Sequence, residues 1–322
     1  MDIAMKAIST TADKRDARAY MVAFSLMLAL FLAGPFFIYP VFLMKVMCFA
    51  LFGCAFNLLI GYTGLASFGH AAFFGFSAYI CGHVAKAWGF SPELAIFAGT
   101  ATGAALGFVV ALLAIRSQGI YFAMITLAMA QMVYYSCFKA RFTGGDDGIQ
   151  AIPRGLLFGA IDLSSMWAIY GLVFVVFMGG FLFLYRVVNS PFGEVLRAIR
   201  ENESRAVSLG YRVDRYKVLA FTMSAALSGL AGATKTIVFQ GASLTDVHWS
   251  MSGEVLLITL LGGLGTMFGP VVGALIVVAM QAYLASLGSW VLVAQGTIFV
   301  ACVLLFRRGI VGELAHKLRC NL

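Results

Sequence analysis

The residues of this sequence that could do chemistry are few and widely separated along the chain. An enzyme site needs titratable groups that converge, such as paired carboxylates, a nucleophile with its base, or several metal ligands. None of the polar residues in or beside the apolar stretches is spaced as a catalytic or metal-binding motif. These residues are Lys45, His70, His83, Lys86, Lys235 and Glu254, together with the amides Asn57, Gln131, Gln281 and Gln295. We therefore predict no catalytic residue, no metal site and no cofactor bound by this chain.

A weak phosphate-loop pattern occurs at residues 231–236, which read AGATKT. Thr234 stands before Lys235 where the phosphate-binding motif requires glycine, so the pattern fails. The six cysteines show no C-x-x-C spacing and lie mostly in or beside apolar runs, as small buried hydrophobic residues do. The chain is therefore not expected to hydrolyse a nucleotide, and energy would have to enter from another subunit.

The composition is that of a membrane protein. Of the 322 residues, 61% are hydrophobic and 11% are charged, whereas soluble domains carry about 25% charged residues. The formal net charge of +8 fits the enrichment of lysine and arginine on the cytoplasmic side of membrane proteins. We predict an all-α, polytopic membrane protein in contact with lipid, and no nucleic-acid partner.

Length and charge bias predict ten membrane spans with both termini in the cytoplasm. About 20 apolar residues cross a bilayer, and ten spans place most of the 22 lysines and arginines on one side. Residues 1–19 would be a cytoplasmic segment, 20–306 the transmembrane domain and 307–322 a cytoplasmic tail. The first nine predicted spans are 20–38, 41–60, 61–84, 92–115, 119–138, 167–187, 216–237, 252–266 and 268–287. The eighth and ninth are short, and the tenth ends at residue 306.

One charge-dense segment, residues 189–215, lies between the sixth and seventh spans and is called the charged loop below. Ser190 before Pro191 is typical of a helix start, and Gly210 of a helix end. We predict two short helices, the second at residues 204–209, that dock on a partner; a solvated linker is the alternative. The residues expected to carry the contact are Glu194, Arg197, Arg200, Glu201, Asn202, Glu203 and Arg205.

The glycine-rich third span is predicted to be broken or very closely packed. Small residues recur along it at helical spacing, which allows backbones to approach each other in lipid. This small-residue stripe consists of Ser67, Ala71, Gly75, Ala78 and Gly82.

Four polar residues in the spans are candidates for a translocation pathway, because polar groups inside a membrane usually serve a function. They are Ser67, His70, Gln131 and Glu254. A neutral imidazole that donates to a nearby carbonyl would also account for His70. A carboxylate at a helix N-terminus would also account for Glu254.

The loop at residues 139–165, called the outer loop, contains the motif TGGDDG. Thr143, Gly144, Gly145 and Asp147 are candidates for docking a partner through this motif, and a plain glycine turn is the alternative.

Five blocks of sequence, in order, resemble one permease family. They are GLASFGHAAFFGFSAY from residue 64, GIYFAMITLA from 119, TGGDDGI from 143, RAIRENESRAVSLGY from 197 and GEVLLITLLGGLGTMFGPVVGA from 253. Over about residues 50–310 the sequence is similar to the LivM-type permease of branched-chain amino acid ABC importers. In that family a loop placed like the charged loop sits in a groove of an ATPase.

The resemblance implies a bacterial inner-membrane subunit with several partners. These are a second, LivH-type permease, two ABC ATPases that bind ATP and Mg²⁺, and a soluble periplasmic substrate-binding protein. Family members usually have a small residue in place of Asp146, which makes Asp147 the more informative acid. Related permeases serve urea and short amides. An ion-coupled secondary transporter and a membrane-embedded enzyme are the alternatives from other classes.

Overall fold

The computed structural model describes residues 2–159, 161–284, 290–306 and 308–318, and this part of the chain is almost entirely helical. The helices are α1 (Asp2–Phe37), α2 (Pro40–Ile60), α3 (His70–Lys86), α4 (Pro92–Ala114), α5 (Ile120–Lys139), α6 (Met166–Val188), α7 (Pro191–Glu201), α8 (Glu203–Ser208), α9 (Val213–Phe239), α10 (Leu244–Val247), α11 (Trp249–Gly262), α12 (Gly269–Leu284), α13 (Val291–Leu305) and α14 (Ile310–Leu318). Two antiparallel pairs join β1 (Ile149–Gln150) to β4 (Gly241–Ala242), and β2 (Leu156–Leu157) to β3 (Ile161–Asp162).

Six helical stretches among the described residues are long and apolar enough to cross a membrane. They are Ala19–Phe37 within α1, and α2, α4, α5, α6 and α9. The all-α membrane fold is thus confirmed. Helices α3, α11, α12 and α13 are shorter, at 17, 14, 16 and 15 residues, so the count of ten spans stays a prediction. The end of the predicted ninth span lies outside the described residues, as do Arg307 and Arg319 of the predicted cytoplasmic tail.

Helix α1 differs from the prediction at its start. It runs from Asp2 to Phe37 without a break, so residues 2–19 continue the helix of the first span. The Tyr170 hydroxyl on α6 donates to the Phe31 carbonyl and fastens α1 to the bundle.

The predicted third span is broken, because the backbone is irregular from the end of α2 until α3 begins at His70. Irregular backbone at membrane depth is tolerated only where the protein satisfies its polar groups. The Phe68 amide donates to Thr126 Oγ1 at 3.2 Å, and the Ala71 amide donates to Ser252 Oγ at 2.9 Å. Side chains of α5 and α11 therefore stabilise the break.

Helix α9 lies at the centre of the bundle and packs against α2, α3 and α4. A Cβ atom at Gly103 of α4 would lie 3.1 Å from the Cα atom of Gly229 on α9, so the two backbones touch. All five members of the small-residue stripe are buried. Gly75 in that stripe faces the short helix α10, where its absent side chain leaves room for the Val247 backbone.

Candidate functional site

The charged loop folds into two helices, α7 and α8, close to the predicted positions. Pro191 is the first residue of α7 and Ser190 holds the N-cap position, but its hydroxyl donates backwards to the Val187 carbonyl at 2.6 Å. Ser190 therefore does not cap α7 with its side chain. Helix α8 begins one residue earlier than predicted because Asn202 Oδ1 accepts a hydrogen bond from the Arg205 amide at 3.0 Å.

Apolar packing and an ion pair hold the charged loop against α9. Ile199, Ala206 and Val213 form a small buried cluster that joins α7 and α8 to the start of α9. The Lys217 ammonium lies 2.6 Å from Glu203 Oε1 and is 4% exposed. The loop is thus a folded unit with its own buried contacts, which a slack linker would lack.

Two arginines predicted to meet a partner, Arg197 and Arg200, are exposed and also contact their own chain. The Arg200 guanidinium donates from Nη1 to the Gly61 carbonyl, just beyond the end of α2. The Arg197 guanidinium lies 5.5 Å from the centre of the Tyr62 ring. Carbonyls at a helix C-terminus lack intrahelical donors and favour cations, which explains why Arg200 reaches this point. The two arginines, Tyr62 and Glu201 line a cavity of about 420 Å³.

Asn57 is a residue whose structural role the sequence reasoning missed. Its Nδ2 donates to the Thr266 carbonyl at 2.8 Å, and its Oδ1 accepts from the Gly265 amide at 3.0 Å. A primary amide inside an apolar run was the only signal available. Through Asn57 and Arg200, the turn between α11 and α12, the break after α2 and the charged loop all meet at one end of the bundle.

The face of the charged loop that points away from the bundle combines charge with exposed apolar residues. Glu194, Glu201, Asn202 and Arg205 are exposed. Val207 is 56% exposed and Leu209 is 69% exposed. Apolar side chains displayed together among charges are typical of protein interaction sites.

Ser67 lies in the break and His70 is the first residue of α3, and both make internal contacts. Ser224 Oγ donates to the Ala55 carbonyl, so it accepts from His70 Nε2 at 2.8 Å. Ser67 Oγ accepts from the Gly69 amide at 3.2 Å. Both side chains are fully buried. The imidazole of His70 thus donates to a hydroxyl inside the bundle, whereas the structural alternative expected a carbonyl as its partner.

Gln131 and Glu254 lie away from His70 and from each other. Gln131 is partly exposed on α5, and its amide has no hydrogen-bond partner within the described part of the chain. Glu254 is the sixth residue of α11, so the alternative of a carboxylate at the helix N-terminus is wrong. The Gln281 amide donates to Glu254 Oε1 and accepts from Lys45 Nζ at 3.0 Å.

The TGGDDG motif in the outer loop is a glycine turn that displays two acids. Gly144 and Gly145 have φ angles of +79° and +62°, which other residues rarely adopt. The buried Thr143 hydroxyl lies 2.6 Å from the Ala140 carbonyl and fastens the turn to the end of α5. Asp147 is exposed, so a structural turn and a docking surface are compatible here.

Comparison with known proteins places the chain in a family. Residues 39–306 match the family described as branched-chain amino acid transport system / permease component. The high-affinity branched-chain amino acid transport system permease proteins LivM of Salmonella typhimurium and Escherichia coli are 27% and 26% identical to it over 297 residues. These alignments cover 85% of this chain and 70% of each relative. The ribose import permease protein RbsC of Bacillus subtilis is 31% identical over 173 residues, which is 51% of both chains. No solved structure gives a significant match.

The family match spans most of the chain, and the long apolar helices described above agree with it. This multi-pass membrane protein belongs to the family of permease components of branched-chain amino acid transport systems.

Proposed function

We propose that the chain is one permease subunit of an ATP-binding cassette importer for branched-chain or related neutral amino acids. A second, LivH-type permease completes the translocation pathway, and two ATPase subunits bind ATP and Mg²⁺. A soluble periplasmic binding protein delivers the substrate. The subunit lies in the bacterial inner membrane, with residues 1–19 and 307–322 in the cytoplasm.

The observation that carries this proposal is the folded charged loop. For a conformational change in an ATPase to open the translocation pathway, the contact between the two subunits must be folded and rigid. Helices α7 and α8 meet this need through the buried cluster of Ile199, Ala206 and Val213 and through the Glu203–Lys217 ion pair. Exposed Val207 and Leu209 supply apolar surface for docking, and the nearby charges set its orientation.

Arg197 and Arg200 act one step after docking in this proposal. Because Arg200 donates to the Gly61 carbonyl, a movement of α7 displaces the irregular segment between α2 and α3. The hydrogen bonds of Asn57 transmit the same movement to the turn between α11 and α12. In this proposal Val207, Leu209 and the nearby charges bind the ATPase. Arg197 and Arg200, which are also exposed, transmit its movement through their contacts with Tyr62 and Gly61.

The test separates docking from transmission in the assembled transporter. Replacing Val207 and Leu209 together with aspartate should release the ATPases, because two charges would have to be buried in the contact. Arg200→Ala should leave the ATPases bound and ATP hydrolysis active, while amino acid uptake per ATP falls. Arg212→Ala, an exposed arginine of the same loop, is the matched control. Parental uptake with bound ATPases in both test variants would leave the charged loop as a solvated linker.

Substrate class is tested on the same assembly in proteoliposomes. The parental transporter should import leucine, isoleucine or valine when supplied with its binding protein, and should not import urea, short amides or ribose. Import of ribose alone would assign the chain to the sugar branch of its relatives. Import driven by an ion gradient without ATP would indicate a secondary transporter.

A further inference from the structure

Three polar side chains meet where helices α2, α11 and α12 pack against one another. Lys45 lies on α2, Gln281 on α12 and Glu254 on α11. The Gln281 amide accepts a hydrogen bond from Lys45 Nζ at 3.0 Å through its oxygen. It donates a second hydrogen bond to Glu254 Oε1 through its nitrogen. A cation and an anion are therefore held on opposite sides of one neutral amide.

Lys45 and Glu254 do not pair directly. The ion pairs within 4.0 Å in the described ranges are Lys217–Glu203 and Lys235–Asp246. In the second of these pairs, Lys235 Nζ lies 2.6 Å from both oxygens of Asp246, so the Lys235 ammonium already has a carboxylate as its partner.

Within the described part of the chain, both charged groups keep unused hydrogen-bonding capacity. An ammonium has three donors and a carboxylate accepts through two oxygens, but the amide takes only one of each. Lys45, Gln281 and Glu254 are all partly exposed, which leaves the remaining capacity open to a ligand.

The cluster lies toward the end of the bundle away from the charged loop, and its Lys45 lies on α2, a helix long and apolar enough to cross a membrane. Lys45 precedes Gly61, the charged-loop end of α2, by 16 residues, which is about 24 Å of helix. Gln281 follows Gly269, the same end of α12, by 12 residues, which is about 18 Å. Charged residues within membrane-spanning segments usually face the bundle interior or a water-filled cavity and mark the route of a substrate.

We propose that Lys45 and Glu254 form a subsite for the zwitterionic head of an amino acid. The α-carboxylate of the ligand binds Lys45, its α-ammonium binds Glu254, and Gln281 keeps the two charges apart at rest. This inference rests on the proposed function. Two opposite charges on one small ligand match two separated charges of the protein, so none stays unpaired at low dielectric. A sugar or urea would leave both protein charges unmatched, so the subsite would favour amino acids.

A purely structural role for the two charges makes a different prediction. If Lys45 and Glu254 only compensate each other, removing one leaves a partly buried charge unmatched, and removing both restores stability. If they bind the zwitterion, removing both leaves the fold intact and the transport defect in place. The double variant Lys45→Met/Glu254→Gln therefore distinguishes the two roles.

The experiment compares L-leucine uptake per ATP hydrolysed in proteoliposomes that contain the assembled transporter and its binding protein. We expect Lys45→Met and Glu254→Gln each to lower this ratio about tenfold, as the loss of one charge-assisted contact would, and the double variant to lower it at least as far. ATP hydrolysis stimulated by the binding protein should continue. Parental leucine uptake per ATP in the double variant would overturn the subsite.

Glu254→Asp covers the case in which the neutral variants do not assemble. It keeps the charge but withdraws the carboxylate by one methylene, so it should assemble and still lower leucine uptake per ATP. Lys235→Arg, in the matched ion pair, is the control and should transport at the parental rate. Parental transport by Glu254→Asp would also overturn the subsite. If the parental transporter imports no amino acid, the proposed function is wrong. If it imports leucine and the double variant shows the same leucine uptake per ATP, only the proposed subsite is wrong.

Discussion

Replacing Gly75 with alanine should destabilise the contact between α3 and α10. A Cβ atom at this position would lie 2.4 Å from Val247 Cγ2, 2.6 Å from the Val247 nitrogen and 2.7 Å from the Asp246 carbonyl carbon. Two of these three atoms are backbone, so a change of rotamer cannot relieve the clash and α10 must move.

The magnitude follows from two opposing effects. Overpacking of a close contact costs about 1–3 kcal/mol, and the better helix propensity of alanine returns at most about 1 kcal/mol. We expect Gly75→Ala to lose about 1–2 kcal/mol of stability. Gly179→Ala on α6 is the matched control, because nothing lies within 4 Å of a Cβ atom there. The control should be neutral or slightly stabilised.

The assay is thermal unfolding of the purified protein in one detergent, with Gly75→Ala and Gly179→Ala measured side by side. Gly75→Ala should unfold a few degrees below the parent, and Gly179→Ala at or above it. Gly75→Leu should further prevent assembly of the permease. Equal unfolding temperatures for the two alanine variants would refute the close approach of α10 to α3.

Three further changes test other contacts. Glu203→Gln should lower the stability of the folded charged loop by roughly 1–2 kcal/mol, because the nearly buried Lys217 ammonium loses its partner. Adding Lys217→Met should restore much of that stability, and unchanged protease resistance of the loop in Glu203→Gln would contradict this. Asp147→Lys should weaken the stimulation of ATP hydrolysis by the binding protein, and the effect should be smaller at high salt. Asp162→Lys, in the same loop, is the control and should not weaken it; equal stimulation of the Asp147→Lys and Asp162→Lys variants would favour a plain turn. Tyr170→Phe should lower thermal stability by about 1 kcal/mol because α1 loses its hydrogen bond to α6, and no change in unfolding temperature would contradict that role.

Local signals in the sequence were sufficient for the elements and for the class of the protein. The apolar runs predicted the membrane-spanning helices because crossing a bilayer requires a given length of apolar chain. Pro191 and Gly210 predicted the limits of the charged-loop helices, since a missing amide hydrogen and a positive φ angle act within one turn. The ordered motifs predicted the family that residues 39–306 match.

The partners of the polar side chains depended on the tertiary structure. Arg200 and Gly61 are 139 positions apart, Asn57 and Gly265 are 208 apart, and Lys45 and Gln281 are 236 apart. No spacing rule along one helix predicts such contacts, because they arise only where separate helices pack. The sequence predicted Arg200 as a contact for a partner, and that stays a prediction. It did not predict that Arg200 also donates to the Gly61 carbonyl of its own chain. For the same reason, the sequence predicted Glu254 as a pathway residue but did not predict that Gln281 donates to its carboxylate and accepts from Lys45.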